Sequence, residues 1–231
     1  AGNRDPILTM DVRSMGDDNV VVIAEDDQAS SAWPAWKHLL EDLADAQPPP
    51  PSAKLAYKNL GDAGAFRLAE LLRAPLADLT VLDLSCTSIG SSGAAALASA
   101  LRTHGSLRAL DMGSNAVTDS GAAAFASALS ANSTLESLCL HACLIGDKGA
   151  TAIAAALKGN ETLTELNLRQ NYIDDAGATQ LAEALQGARA LRVCDVQSNS
   201  YSRAGRRALT DAYAANPRVE RSMPLAWKLG G

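Results

Sequence analysis

The chain has 231 residues, a net charge of −6 and only 4% aromatic residues. An acidic chain lacks the basic surface that binds the phosphates of DNA or RNA, and few aromatic side chains are available to stack on bases. These properties argue against direct nucleic-acid binding, and we predict a protein partner instead. No apolar run is long enough to cross a bilayer, so no membrane span is predicted.

Residues 1–51 do not follow the pattern of the rest of the chain and are interpreted as an N-terminal extension. The apolar run at residues 19–24 predicts a short strand, which suits the N-terminal edge of a sheet. A helix is predicted from about Pro34 to Ala46, with its apolar residues on one face. The four prolines 48–51 end this helix and are interpreted as a rigid spacer, because no basic residue flanks them as in ligands of SH3-like modules.

The extension has two alternative roles. In the first, its helix covers the apolar end of the repeats that follow, because a solenoid exposes core residues at each end. In the second, Trp33 and Trp36 contact a separate partner, and Trp227 near the C-terminus contributes to the same kind of surface.

Residues 52–231 contain a repeat with a constant period. A degenerate first repeat, 52–78, aligns with the next one at an offset of 29 residues. Regular repeats then begin every 28 residues, at Leu79, Leu107, Leu135, Leu163 and Leu191. A half repeat, 219–231, ends the chain, and Pro224 is expected to block further strand pairing there. A fixed period of this length is typical of a solenoid.

Each regular repeat opens with the pattern L-x-x-L-x-L-x-x-N/C-x-L, whose alternating apolar positions predict a short strand. The amide or thiol position after the strand is predicted to bond to the turn backbone, and it holds Asn115, Cys143, Asn171 and Asn199. A helix with one apolar stripe follows. Its first turn is expected to be capped by the polar column Ser91, Asp119, Asp147 and Asp175.

These motifs resemble the leucine-rich repeat family, specifically its ribonuclease-inhibitor-like branch, whose repeats have about this length and contain a full helix. The resemblance covers residues from about 53 to 231. It implies an α/β solenoid that forms a right-handed arc, with a parallel sheet on the concave side and helices on the convex side. The family is defined by a scaffold, so the resemblance implies binding without identifying a ligand.

The four cysteines, Cys86, Cys139, Cys143 and Cys194, all lie inside repeat columns. We interpret them as reduced thiols of an intracellular protein, because a disulfide framework would not follow the repeat. The expected location is the cytoplasm. A mitochondrion or another organelle is the alternative, since the sequence begins at Ala1 and a targeting peptide would be removed on import.

No catalytic residue, cofactor or metal site is predicted. The three histidines show no metal-ligand spacing. Cys139 and His141 point to the same side of one strand and resemble a nucleophile and a base, but the sequence offers no evident third group to orient them. Asn132 and Asn160 match glycosylation acceptors, yet both occupy one repeat column, so we interpret them as parts of the repeat turn.

Side chains alternate along a strand, so the positions between the buried leucines are predicted to face outward on the concave side. The predicted protein-binding residues on this face are Asp83, Asp111, His141, Glu165, Asn167, Arg169, Asp195 and Gln197. The column that contains Asp83 and Asp111 is acidic, which favours a basic partner surface.

The sequence therefore predicts a non-catalytic protein-interaction scaffold or a structural subunit of a larger assembly. One alternative is a regulator of small GTPases, of the GTPase-activating type found among relatives of this repeat branch; it would use Arg169 or Asn171 at a repeat edge. The other is an accessory subunit of an organelle or cytoskeletal complex, held by its N-terminal extension.

Overall fold

The computed structural model describes the backbone of residues 20–22 and the whole of residues 35–221. Strands and helices alternate along this part of the chain. Their bounds are β1 Val20–Val22, α1 Ala35–Asp45, β2 Ser52–Lys54, α2 Gly61–Leu71, β3 Val81–Asp83, α3 Ser91–Leu101, β4 Ala109–Asp111, α4 Thr118–Leu129, β5 Ser137–Cys139, α5 Asp147–Leu157, β6 Glu165–Asn167, α6 Asp175–Gly187, β7 Val193–Asp195 and α7 Arg203–Ala215.

The described strands form one parallel sheet in chain order, from β1 to β7. From β3 onward each strand residue pairs with the residue 28 positions later in the next strand, as in Leu82 opposite Leu110. Between β2 and β3 the offset is 29, with Ala53 opposite Leu82. These are the offsets seen in the sequence, and the predicted α/β solenoid is confirmed.

The difference in packing distance between strands and helices makes the sheet the inner side of the solenoid. Neighbouring strands lie about 4.8 Å apart, whereas packed helices need about 8–10 Å between their axes. Each repeat contributes one strand and one helix, so the helical layer occupies the longer, outer path. The sheet therefore lines the concave side.

The core lies between the two layers. The central strand residues Leu82, Leu110, Leu138, Leu166 and Cys194 are buried, and so are the helix residues Leu97, Phe125, Ile153, Leu181 and Leu209. Small residues allow the helices to approach one another. At Gly177, for example, an added Cβ would lie 2.6 Å from Asp147 Oδ1 and 2.8 Å from Ile173 Cγ2.

Amide side chains hold the strand-to-helix turns, as predicted for Asn171. Its Oδ1 accepts the backbone N–H groups of Cys143 at 2.9 Å and Ile145 at 3.0 Å. Its Nδ2 donates to the carbonyls of Leu140 and Leu168. The Asn171 side chain thus joins two repeats, and it is 5% exposed.

A second polar column, interpreted from the sequence as part of the repeat turn, holds the helix-to-strand turns. Asn132 donates to the Leu101 carbonyl at 2.7 Å and accepts the Leu135 N–H at 2.8 Å. Asn160 repeats this arrangement one period later. His104 replaces asparagine one period earlier, with Nδ1 accepting the Leu107 N–H at 3.0 Å. These bonds account for the glycosylation-like pattern.

The acids at the helix starts cap a different helix from the one predicted. Asp147 Oδ1 accepts the N–H groups of Asp174 and Gly177, both at 2.9 Å, at the start of α6 and not of its own helix α5. Asp119 caps α5 in the same way. Each acid already lies within the first turn of its own helix, and its carboxylate reaches across to the stacked neighbour. Ser91 interrupts the column, and α4 has no side-chain cap.

The two ends of the array differ. At the N-terminal end, Leu39, Leu40 and Leu43 of α1 are buried, and Trp36 is half-buried against the core. At the C-terminal end, Val193 pairs with Glu220. Trp33, Pro224 and Trp227 lie outside the described residues, and the boundary between an extension and a repeat domain at residues 51 and 52 stays a prediction. None of the helices described is both long and apolar enough to cross a membrane.

Candidate functional site

The acidic column of the concave face is bonded to its own backbone. In each case Oδ1 accepts the N–H two residues later, a local turn that ends the strand. The four bonds are Asp83 to Ser85 at 2.9 Å, Asp111 to Gly113 at 2.7 Å, Asn167 to Arg169 at 3.0 Å and Asp195 to Gln197 at 2.9 Å. This column therefore has a structural role whether or not it contacts a partner.

The prediction that the whole column, which also contains Cys139, faces solvent is wrong for three of its members, and Cys139 is one of them. Asp111 is only 9% exposed and Asp195 only 3%. Side chains on strands about 4.8 Å apart cover one another, and each carboxylate folds back towards its own turn. Of the other predicted binding residues, Asp83, His141, Glu165 and Asn167 are half-buried, whereas Arg169 and Gln197 are exposed.

Two large apolar side chains are exposed on the neighbouring loops that follow β5 and β6. Leu144 is 47% exposed and Tyr172 is 63% exposed. They occupy the same repeat position, and the Tyr172 N–H donates to the carbonyl of Ile145 at 2.8 Å, so the loops are in direct contact. Leu144 also has a positive φ of 60°, a left-handed conformation that costs about 1–3 kcal/mol in a non-glycine residue.

Sequence reasoning did not identify this pair, because the position lies in a turn outside the strand columns. The signal was present in the comparison of repeats. The same position holds the small residues Ser88, Ala116 and Ser200 in the other regular repeats. The large apolar side chains of Leu144 and Tyr172 therefore depart from the repeat pattern.

A cluster of three donor groups lies further into the sheet. Asp111 on β4 pairs in register with Cys139 on β5. Cys139 Sγ is 3.3 Å from His141 Nδ1, and one donor atom of each of the three side chains lies within 4.8 Å of the others. The sequence predicted the Cys139–His141 pair; Asp111 was missed as its third member because it belongs to the preceding repeat, one 28-residue period earlier.

Gly113 makes room for the imidazole of this cluster. A Cβ at Gly113 would overlap with Nδ1 and Cε1 of His141. The other repeats carry Ser85, Arg169 and Gln197 in this column. The imidazole therefore occupies the space that any side chain larger than glycine at position 113 would fill.

Electrostatics in the cluster do not favour a nucleophilic cysteine. Burial, followed by the charge of Asp111, raises the pKa of the Cys139 thiol, so the thiol is protonated at neutral pH. Burial also raises the pKa of Asp111. Asp111 bonds to the thiol, and His141 Nε2 has Ser114 Oγ as its neighbour at 3.4 Å. Among the described residues, His141 therefore has a hydroxyl as the neighbour of Nε2, whereas a catalytic triad requires a carboxylate that orients the imidazole.

Four segments of the chain, residues 77–98, 106–126, 131–154 and 159–182, match the family description "Leucine Rich repeat". Over these segments the chain is similar to leucine-rich repeats. A solved structure described as "Leiomodin-1 Actin-Binding Site 2 (ABS2)" is similar to this chain at 20% identity and a TM-score of 0.54, over 79% of this chain and 90% of that one. This likeness shows the shared fold alone.

A second structure, described as "Crystal structure of TLR13-ssRNA13 complex", has 14% identity and a TM-score of 0.38. The aligned region covers 74% of this chain but only 32% of the chain in that structure. No curated protein matches the chain in sequence.

Four of the candidate residues that are exposed or half-buried lie in the two neighbouring repeats that begin at Leu135 and Leu163. His141 and Leu144 belong to the first of these, and Arg169 and Tyr172 to the second. Asn171, predicted as a possible catalytic residue, is buried and bonded to the backbone of both repeats. Its amide is not available to a ligand.

Proposed function

We propose that the protein is a non-catalytic interaction scaffold whose partner binds at the loops that follow β5 and β6 in these two repeats. The contact surface is Leu144, Arg169 and Tyr172, here called the edge patch. The single observation that supports it is the exposure of Leu144 and Tyr172 on loops in direct contact. Tyrosine and arginine are enriched among residues that contribute most to binding energy.

The concave face extends this surface. Glu165 and Asn167 lie on β6, which ends two residues before Arg169. Ser137 Oγ donates to Glu165 at 3.0 Å across the strands. A partner that covers the edge patch would reach these half-buried polar groups next. We propose that Asp83 and Gln197 contribute at the two ends of the face, where charge affects partner choice more than affinity.

A quantitative pull-down tests the edge patch. The Leu144→Ala and Tyr172→Ala double variant should lose a bound partner by about tenfold or more, the effect of removing a residue that contributes over 1.4 kcal/mol. Phe66→Ala is the matched control, because Phe66 is an exposed apolar residue on α2 in the outer layer. Each partner found is then measured as a purified protein, and actin is included because the similar leiomodin-1 structure is that of an actin-binding site.

Two outcomes would contradict the proposed surface. Equal loss with Phe66→Ala would indicate a general effect on stability. Retained binding in the double variant, with loss after Trp36→Ala, would move the contact to the N-terminal extension, where Trp36 is half-buried against the core.

The finer alternatives make separate predictions. A GTPase regulator would depend on Arg169, since Asn171 is buried, and Arg169→Ala would then abolish stimulated GTP turnover. An accessory subunit would elute with a large particle from native extract.

We also propose an intracellular location, which the four free cysteines support. Membership of the ribonuclease-inhibitor-like branch is a further proposal, supported by 28-residue repeats with a full helix each.

A further inference from the structure

The donor cluster on β4 and β5 has the composition of a transition-metal site. It combines a thiol, an imidazole and a carboxylate, the three side-chain types that bind Zn²⁺ in proteins. In the described part of the chain, no other group of three such side chains comes equally close together. Among the repeats that the structure describes, the cluster is therefore a specific feature of these two.

The distances suit a metal of this kind. Donors on a tetrahedral zinc ion, with bonds of about 2.0–2.3 Å, lie about 3.5 Å apart. The separation between Cys139 Sγ and His141 Nδ1 is 3.3 Å. The separations from Asp111 to the other two donors are no longer than 4.8 Å.

Neighbouring groups already orient two of the three donors. Asp111 Oδ1 accepts the Gly113 N–H at 2.7 Å, which fixes the carboxylate at the end of β4. Ser114 Oγ lies 3.4 Å from His141 Nε2, the nitrogen that would remain when Nδ1 binds a metal. A hydrogen-bond partner on the second ring nitrogen is typical of metal-ligating histidines.

The charge of the site also favours a cation. Asp83 on β3 lies beside Asp111 and adds a second negative charge to this part of the sheet. His141 is the facing group that can carry positive charge. A bound divalent cation would compensate the carboxylates and a thiolate together, in a region where water does so poorly because Asp111 and Cys139 are buried.

We propose that Asp111, Cys139 and His141 bind a divalent transition metal, with Zn²⁺ as the ion that fits best. Three protein ligands leave a fourth position, which a water molecule takes on the concave side next to the half-buried His141. Binding replaces the thiol proton of Cys139 with a metal–sulfur bond and releases that proton to solvent.

Cobalt titration of the reduced, metal-free full chain tests the site. Co²⁺ substitutes for Zn²⁺ and reports thiolate coordination by a charge-transfer absorption band. We expect one Co²⁺ per chain, displaced by Zn²⁺. Cys139→Ser should abolish the band, and His141→Ala and Asp111→Asn should each weaken binding by about tenfold or more, comparable to losing a group that orients a ligand.

Matched controls separate the site from general metal binding. Cys86→Ser removes a thiol on the neighbouring repeat, and His38→Ala removes an exposed imidazole on α1. Both should bind Co²⁺ as the unchanged chain does. A charge-transfer band that persists in Cys139→Ser, or one that disappears in Cys86→Ser, would overturn the proposal.

Gly113→Ala provides a second test that keeps all three ligands. Its Cβ would displace the imidazole of His141, so Co²⁺ binding should weaken by about tenfold or more. Gly159→Ala is the control, because nothing lies within 4 Å of a Cβ there. Circular dichroism establishes that each variant is folded. Absence of a Co²⁺–thiolate band in the folded, unchanged chain would also refute the site.

Discussion

At the scale of single residues, Asn171 illustrates how much stability one buried amide supplies. Asn171→Ala would leave the N–H groups of Cys143 and Ile145 without their acceptor, and an unpaired buried group costs about 1–3 kcal/mol. The midpoint of urea unfolding should fall accordingly. Asn199→Ala is the graded control, because Asn199 is half-buried and accepts only the Ile173 N–H. A larger loss at Asn199, or none at Asn171, would contradict this account.

Asp111 carries a pH-dependent penalty. Burial raises the pKa of this carboxyl in the folded state above its ordinary value, so ionisation opposes folding. The penalty is absent at acid pH, appears as the pH rises through the unfolded and then the folded pKa, and is complete above the folded pKa.

Asp111→Asn should therefore stabilise the metal-free protein at neutral pH. The amide keeps the acceptor for the Gly113 N–H, as Asn167 does in its own turn, but removes the buried charge. Melting temperatures measured between pH 3 and pH 8 should separate with rising pH. Asp83→Asn, in the same column but half-buried, should give a smaller separation. A stabilisation that is unchanged at acid pH would rule out the charge as its cause.

At the scale of single elements, the acid column makes α5 and α6 each depend on the repeat before it. Asp147→Ala should cost about 0.5–2 kcal/mol, the usual loss for a helix cap. Hydrogen exchange should show faster opening at the start of α6, where Asp147 accepts two N–H groups, and not at the start of α5. Lys148→Ala, at an exposed neighbouring position, is the control. Faster exchange in α5 alone would instead support the sequence prediction that Asp147 caps its own helix.

Elements and register follow from the sequence because a fixed period specifies both. Leu82 and Leu110 are paired in the structure as their 28-residue offset requires. Contacts between repeats were harder to predict, because they depend on how far a side chain reaches across to the next turn. Asp147 bonds to the following helix for this reason. The same offset would have placed Asp111 beside Cys139, so the third member of the donor cluster was available from the register.

Burial on the concave face was not predictable from alternation alone. Alternation states to which side of a strand a residue points, but not how completely its neighbours cover it. Asp195 points away from the core and is nevertheless buried, since its carboxylate folds towards Gln197 and the chain continues beside β7 to Glu220. The edge patch was missed because it lies in the turns, where neither a strand nor a helix pattern applies.

At the scale of the whole molecule, the array has one continuous core, so its ends determine whether it stays folded and monomeric. Leu40 and Leu43 of α1 are buried, and α1 packs on α2 at the N-terminal end of the helical layer. Strand β1 pairs with β2 at the same end of the sheet. Removal of residues 1–47 would therefore expose both layers of the first repeat.

We expect this truncated chain to melt at a lower temperature and to aggregate, because a large apolar surface becomes exposed. A point variant separates this effect from the loss of a binding segment. Leu40→Ala should cost about 2–5 kcal/mol, as for other buried leucines, whereas His38→Ala on the exposed side of the same helix should cost almost nothing. Urea unfolding and light scattering measure both effects. A truncated chain that stays monomeric and equally stable would show that the extension does not complete the fold, and its tryptophans would then be the better candidates for partner contact.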